Sequence, residues 1–215
     1  NKYTDTPPPP EEPAGENPPD GAILHYYLAG EAHDPVTLEI LNAQGVLVRR
    51  YSSDDQPEPP LEGQNVPEYW PRPLQVLSAD AGLHRFVWDM HYPRPAVLRL
   101  RYPISAVAYN TPVSPVGPSV LPGRYMVRLT VNGRSQSQPL IVKMDPRVQT
   151  STAELERQFA LSTRLHGLLR QDFDALEEVR AFRADTRNAE LDAEAAGLES
   201  SLRLLKWEPR YALWH

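Results

Sequence analysis

The 215-residue chain contains no cysteine, so it can form neither a disulfide nor a zinc-thiolate site and has no cysteine nucleophile. No apolar run approaches the roughly 18 residues of a spanning helix, which predicts no direct membrane span. The net charge of -6 argues against a nucleic-acid partner, because such proteins need a basic face. Glycine is scarce at 11 residues, whereas proline reaches 24, about twice its usual ~5% share.

Proline and charge mark off the first 20 residues. Residues 1–20 hold seven prolines and a net charge of -4, which predicts a semi-rigid acidic linker. The first residue is Asn1, and no apolar leader segment follows it. We therefore expect a fragment or a processed chain, and any signal peptide would lie upstream of Asn1.

Residues 21–148 are typical of an antiparallel β-sandwich. Short β-type runs alternate with turn residues, and no helical pattern separates the runs. The runs are residues 23–28, 36–41, 46–51, 82–88, 124–131 and 138–143. Asn132-Gly133 is a type I′ hairpin signal. The predicted inner-face core is Leu38, Trp88, Tyr125 and Val127. Two Pro-rich insertions, 54–73 and 92–120, are either functional loops or surfaces packed against a neighbour.

Residues 149–215 switch to helical periodicity and predict a helical hairpin with an aromatic C-terminal tail. Ser151 and Glu154 have the spacing of a capping box. A break is predicted near residues 185–188, and a second helix then carries a 4-3-4-3 stripe of Leu191, Ala195, Leu198, Leu202 and Leu205. Two helices with a short connection predict an antiparallel pair. The stripe is either core or a dimer seam.

Catalytic and metal-binding patterns are missing. The sequence has no GxSxG, GxxxxGK[ST], GxGxxG or HExxH motif. His84 and His91 are seven residues apart, a spacing that fits no common zinc pattern. The adjacent acids at 54–55 and 177–178 are typical of solvated faces, and Asp89 is predicted to be a turn or capping residue. The sequence therefore predicts no catalytic residue, no metal and no cofactor.

Aromatic side chains supply the candidate interaction surface. Its members are Tyr69, Trp70, Tyr92, Tyr102 and Tyr109 in the insertions and Trp207, Tyr211 and Trp214 in the tail. Exposed rings stack on sugars or anchor protein partners. The alternative is that these rings cover the sandwich or the helical hairpin.

Several strand sequences resemble a known family. Residues 36–49 resemble the opening hairpin of the immunoglobulin-like domain found in the flagellar hook-capping protein, and residues 81–89 (AGLHRFVWD) and 121–130 (LPGRYMVRLT) resemble two more of its strands. A longer series of segments is similar to the C-terminal region of large exported bacterial proteins with sortilin-like or BNR-repeat β-propellers. Its segments are, in order, NPPDGAILHYYL, FVWDMHYP, QPLIVKMDPR and a helical tail. Those proteins are commonly classed as glycosyl hydrolases or sialidase-like. The resemblance covers roughly residues 17–185.

The resemblance implies an exported bacterial protein, periplasmic or extracellular, in which this immunoglobulin-like region follows a β-propeller. The propeller's aspartate box, Ser-x-Asp-x-Gly-x-x-Trp, does not occur in the chain, so the resemblance implies no catalytic residue here. The first expectation is a non-catalytic module that is accessory to a larger exported protein or is a subunit of an envelope-associated assembly. Its partner would be another protein or the upstream propeller.

Two alternatives stay open. The first is that the chain is the C-terminal part of a BNR-propeller glycoside hydrolase or sialidase-like enzyme whose active site lies outside it. The second is a carbohydrate-binding module in which Trp70, Tyr69 and neighbouring tyrosines bind a glycan.

Overall fold

The structure is a computed structural model that describes residues 11, 15, 18–56, 66–67, 69–72, 75–97, 100–102, 109–185 and 188–204. Six strands precede two helices: β1 (Ala22–Leu28), β2 (Thr37–Asn42), β3 (Leu47–Ser52), β4 (Gly82–Trp88), β5 (Gly123–Val131), β6 (Arg134–Val142), α1 (Thr152–Asp185) and α2 (Ala189–Leu204). The chain forms two compact units. One comprises residues 1–95 and 99–163, and the other comprises 96–98 and 164–215.

The strands form two antiparallel sheets. β1 pairs with β4, and the second sheet has the order β3-β2-β5-β6. The fold is therefore mixed, with two antiparallel sheets and a C-terminal helical hairpin.

The turn between β5 and β6 confirms the predicted type I′ hairpin. Asn132 and Gly133 have φ values of 48° and 72°, the left-handed pair that this turn needs. The return strand begins at Arg134, four residues before the predicted start at Gln138. A two-residue turn lets pairing resume at once, with Val131 opposite Arg134. The intervening side chains are polar and exposed, so they carry no apolar alternation from which the strand could be predicted.

The core lies between one face of each sheet. Trp88 is fully buried, and its ring meets Tyr125 edge-on with centroids 5.8 Å apart. Leu38 is also buried, and Val127 is a partly buried residue packed against the same cluster. Tyr51 and Phe86 form a second edge-to-face pair, at 4.6 Å. Aromatic pairs of this kind add about 0.5–1.5 kcal/mol each beyond the burial of their area.

The first helix starts at its predicted cap. The Ser151 N–H donates to Glu154 Oε2 at 2.9 Å, and the Glu154 N–H donates back to Ser151 Oγ at 3.3 Å. This reciprocal pair is a capping box, which satisfies two amide donors that the first turn leaves without helical partners.

The contact seam of the helical hairpin agrees only in part with the predicted stripe, of which Ala195 is buried and Leu202 is half-buried. Leu176 of α1 is buried, and α2 buries Ala195 and Glu199. Arg183 donates to Asp192 at 2.8 Å and to Glu199 at 2.5 Å, while Arg180 reaches Glu199 at 3.3 Å. These arginines hold a carboxylate in the seam, because a buried charge must be paired. Leu191 and Leu198 consequently lie exposed on the flank, and Leu205 lies outside the described residues.

Candidate functional site

One face of the two-stranded sheet is apolar and open to solvent. Its side chains, here called the outer face, are Ile23, His25, Tyr27, Leu83, Arg85 and Val87. Tyr27 and Leu83 oppose each other across the strands and are 68% and 72% exposed, and Ile23 is 43% exposed. Alternate residues of both strands point into the core, so these two strands are apolar on both faces.

The centre of the outer face is cationic. Arg85 Nε donates to His25 Nε2 at 3.1 Å. The accepting ring nitrogen carries no proton in this contact, so the positive charge belongs to the guanidinium. The outer face thus presents a charged centre between apolar ends. Tyrosine and arginine are among the residue types that dominate binding energy at protein interfaces.

Two of the predicted aromatic residues, Tyr69 and Tyr109, are in contact in the structure. The rings of Tyr69 and Tyr109 lie 6.4 Å apart at an interplanar angle of 60°, and the Tyr109 N–H donates to the Tyr69 carbonyl at 2.8 Å. Tyr109 is exposed, whereas Tyr69 is half-buried. The two insertions therefore pair with each other here, although the tilted rings do not form a flat platform.

Trp70 lies beside this pair and is half-buried. Its carbonyl accepts from the Thr111 N–H at 3.1 Å, and an isolated parallel bridge joins Pro71 to Thr111. The indole Nε1 is buried and has no hydrogen-bond partner in the described part of the chain. Tyr102, from the second insertion, is also half-buried.

Tyr92 occupies a different place from the other insertion aromatics. It packs against the core cluster, and its ring lies 5.6 Å from that of Phe159 in the first turns of α1. Burial raises the pKa of Tyr92. The three tail aromatics, Trp207, Tyr211 and Trp214, lie outside the described residues.

A cleft of about 460 Å³ opens beside Tyr92, within the first unit. Its polar wall is formed by eight side chains: Asp20, Arg72, Asp89, His91, Ser119, Lys143, Gln158 and Ser162. Arg72 donates to Asn110 Oδ1 at 2.9 Å and lies 3.7 Å from the Asp20 carboxylate. Opposite charges line the same wall, so the cleft is not selective for ligands of one sign.

His91 is the most constrained group in the cleft. Its Nδ1 lies 2.6 Å from the Asp89 carbonyl, which accepts the ring proton, so Nε2 is left to accept from Ser119 Oγ at 2.9 Å. The Asp89 carboxylate accepts from the His91 N–H at 3.2 Å and so acts as the turn residue that the sequence predicts. A hydroxyl on an oriented imidazole is one element of nucleophilic catalysis. Here the contact between Ser119 and His91 also joins two chain segments, because the same two residues form an isolated antiparallel β-bridge.

The described residues contain no group of three or more His, Asp or Glu side chains placed to hold a metal ion. Among the same residues, neither helix is long and apolar enough to cross a bilayer. Comparison of the chain with protein-family models, with curated proteins and with solved structures found no match.

Sequence reasoning missed the outer face, although a signal for it was present. Residues 23–28 are apolar at five of six positions, a composition typical of strands that are covered on both faces. The alternation in β4 separates Leu83, Arg85 and Val87 from the core side, but exposure itself cannot be read from alternation.

Proposed function

We propose that the chain is a non-catalytic protein-interaction module, accessory to a larger exported protein or a subunit of an envelope-associated assembly. The observation that carries the proposal is the exposure of Tyr27 and Leu83 on the outer face. Monomeric soluble proteins rarely expose contiguous apolar patches of this kind unless the patch is a binding site.

The charged centre of the outer face narrows the kind of partner. Arg85 already donates to His25, and a guanidinium carries further N–H donors. A partner with an apolar surface around one carboxylate or carbonyl acceptor would satisfy both parts of the face. The remaining aromatic candidates among the described residues, Tyr69, Trp70, Tyr102 and Tyr109, do not belong to the outer face, and this proposal does not need them.

The proposal includes an immunoglobulin-like sandwich as the scaffold. Two antiparallel sheets share one core, and the pairing of Trp88 with Tyr125 across it supports this arrangement. Export and an upstream propeller belong to the proposal through the family resemblance alone.

The test is capture of the native partner by the tagged 215-residue chain, followed by measurement of the mass of the isolated complex. The Tyr27→Ser/Leu83→Ser variant should lower the amount of complex at least tenfold. Ile141→Ser is the matched control, because Ile141 is an exposed apolar residue on β6 of the other sheet. Thermal unfolding of both variants should match that of the wild type. Retention of the partner by the outer-face variant would contradict the proposal.

Catalysis within this chain is tested separately. The purified chain should not hydrolyse glycosides, since we propose no catalytic residue in it. Turnover that is lost in a Ser119→Ala or His91→Asn variant would instead assign chemistry to the cleft.

A further inference from the structure

The second helix, α2, is shorter than α1 and lies opposite only the C-terminal part of it. In an antiparallel pair of helices with equal rise, facing positions keep a constant sum of residue numbers. The pairs Arg183–Asp192 and Arg180–Glu199 therefore place Leu204, the last residue of α2, level with about residue 173 of α1. In the second unit, the part of α1 before that level has no α2 segment opposite it.

Three leucines lie on that uncovered part of α1. Leu165, Leu168 and Leu169 are 52%, 51% and 42% exposed, and we call them the leucine strip. Their spacing of three and four residues puts them on one face of the helix. A helix in water gains most of its stability by packing such a face, so a strip left open needs a cover.

The sequence that follows α2 has the composition of that cover. Residues 205–215 read LKWEPRYALWH, with Leu205, Trp207, Tyr211, Leu213 and Trp214 as large apolar or aromatic side chains. This segment carries two basic residues and one acidic residue, whereas residues 164–204 carry nine acidic and six basic ones. Its charge therefore complements that of the hairpin.

The distances also agree. The distance along the axis of α1 from the level of residue 173 to Leu165 is eight helical residues, or about 12 Å. Eleven residues span at most about 36 Å when extended and about 16 Å as a helix, so the segment is long enough in either form. Because the two helices are antiparallel, a chain leaving Leu204 in the direction of α2 runs toward the leucine strip.

We propose that residues 205–215 dock on the leucine strip of the same chain, with the tail aromatics as anchors. A second copy is the competing occupant. Charge disfavours it, because two hairpins would bring their acidic surfaces together. The inference is independent of the outer face, which belongs to the other unit.

The absence of cysteine allows a cross-linking test in the 215-residue chain without removal of native thiols. Leu168→Cys is combined with Ala212→Cys, which leaves Tyr211 and Trp214 in place. The control combines Ala212→Cys with Arg170→Cys, because residue 170 lies at the same height on the opposite side of α1 and is exposed. Both pairs are treated with a short bis-thiol reagent, and the rate and mass of the product are measured.

Docking predicts a single-chain product from the Leu168→Cys pair that forms at least tenfold faster than that from the Arg170→Cys control. Equal rates for the two pairs would overturn the proposal. A product with twice the chain mass would also overturn it and would assign the strip to a second copy. Removal of residues 205–215 provides a second measurement: it should raise amide hydrogen exchange at residues 164–170 and leave exchange in β1 and β4 unchanged.

Discussion

Gly117 sits where any side chain would strike the backbone of the neighbouring segment. A Cβ built on Gly117 would overlap the Tyr92 carbonyl oxygen and would lie 2.5 Å from that of Pro93. Ordinary carbon–oxygen contacts are about 3.3 Å or longer, so Gly117→Ala must push the two segments apart. Both obstructing atoms are backbone atoms, and no side-chain rotation can relieve the clash.

The cost follows from the contacts that such a shift would break. Two hydrogen bonds of 2.9 Å hold these segments together, from the Tyr92 N–H to the Pro118 carbonyl and from the Val120 N–H to the Met90 carbonyl. Overpacking costs about 1–3 kcal/mol, and each lost hydrogen bond adds about 0.5–1.5 kcal/mol. Gly117→Ala should therefore lower the free energy of unfolding by about 2–6 kcal/mol and Tm by about 4–24 °C.

Urea unfolding followed by circular dichroism measures this change. Gly30→Ala is the matched control, because nothing lies within 4 Å of a Cβ at that position, and it should stay within about 0.5 kcal/mol of the wild type. A loss below about 1 kcal/mol for Gly117→Ala, indistinguishable from the control, would refute the close approach of residue 117 to residues 92–93.

Three further substitutions test the core, a turn and the helical seam. Burial raises the pKa of Tyr51 to about 12, so the stability that the neutral phenol contributes is complete below pH 10 and is lost as pH rises to 12. Tyr51→Phe should reduce this alkaline loss of stability, measured by urea unfolding, by up to about 2 kcal/mol. An unchanged pH profile would contradict this prediction. Asn132 Oδ1 accepts from the N–H groups of His33 and Asp34, so Asn132→Gly, which tolerates the positive φ but lacks the acceptor, should lower Tm by several degrees while Asn132→Asp does not. Equal effects would argue against the side-chain acceptor. Glu199→Gln should weaken the paired arginines of α1 and cost about 1–3 kcal/mol in thermal unfolding, and a stabilised variant would show that the seam prefers a neutral residue.

Local signals predicted most of the strands and both helices. Asn132-Gly133 fixed its turn because two consecutive positive φ values leave few other residue choices. Ser151 and Glu154 located the start of α1 because their reciprocal hydrogen bonds involve only neighbouring residues. These interactions join residues two to four positions apart, so the sequence contains all of their determinants.

Interactions between distant segments could not be predicted in the same way. The bridge between Pro71 and Thr111 joins two Pro-rich insertions, and no periodic pattern marks either partner. The predicted stripe on α2 is buried at Ala195 but was wrong at Leu198, for a related reason. Hydrophobic spacing favours Leu198, but two arginines on another helix place Glu199 in the seam. The burial of Glu199 on α2 therefore depends on arginines of α1, which the pattern of α2 alone does not contain.

Among the described residues, β4 pairs with β1 on one side and with no strand on the other, and this edge bears on how the outer face can stay exposed. An unpaired strand edge invites pairing with another chain, and an apolar sheet face next to it adds to that risk. Here the Val87 N–H on that edge donates to the side chain of Gln75 at 2.8 Å, and Arg85 puts a charge at the centre of the face. Both features oppose indiscriminate self-association, since a second copy would have to displace Gln75 and place its own Arg85 near the first. A face that is apolar yet protected in this way fits a partner of complementary charge better than it fits another copy of itself.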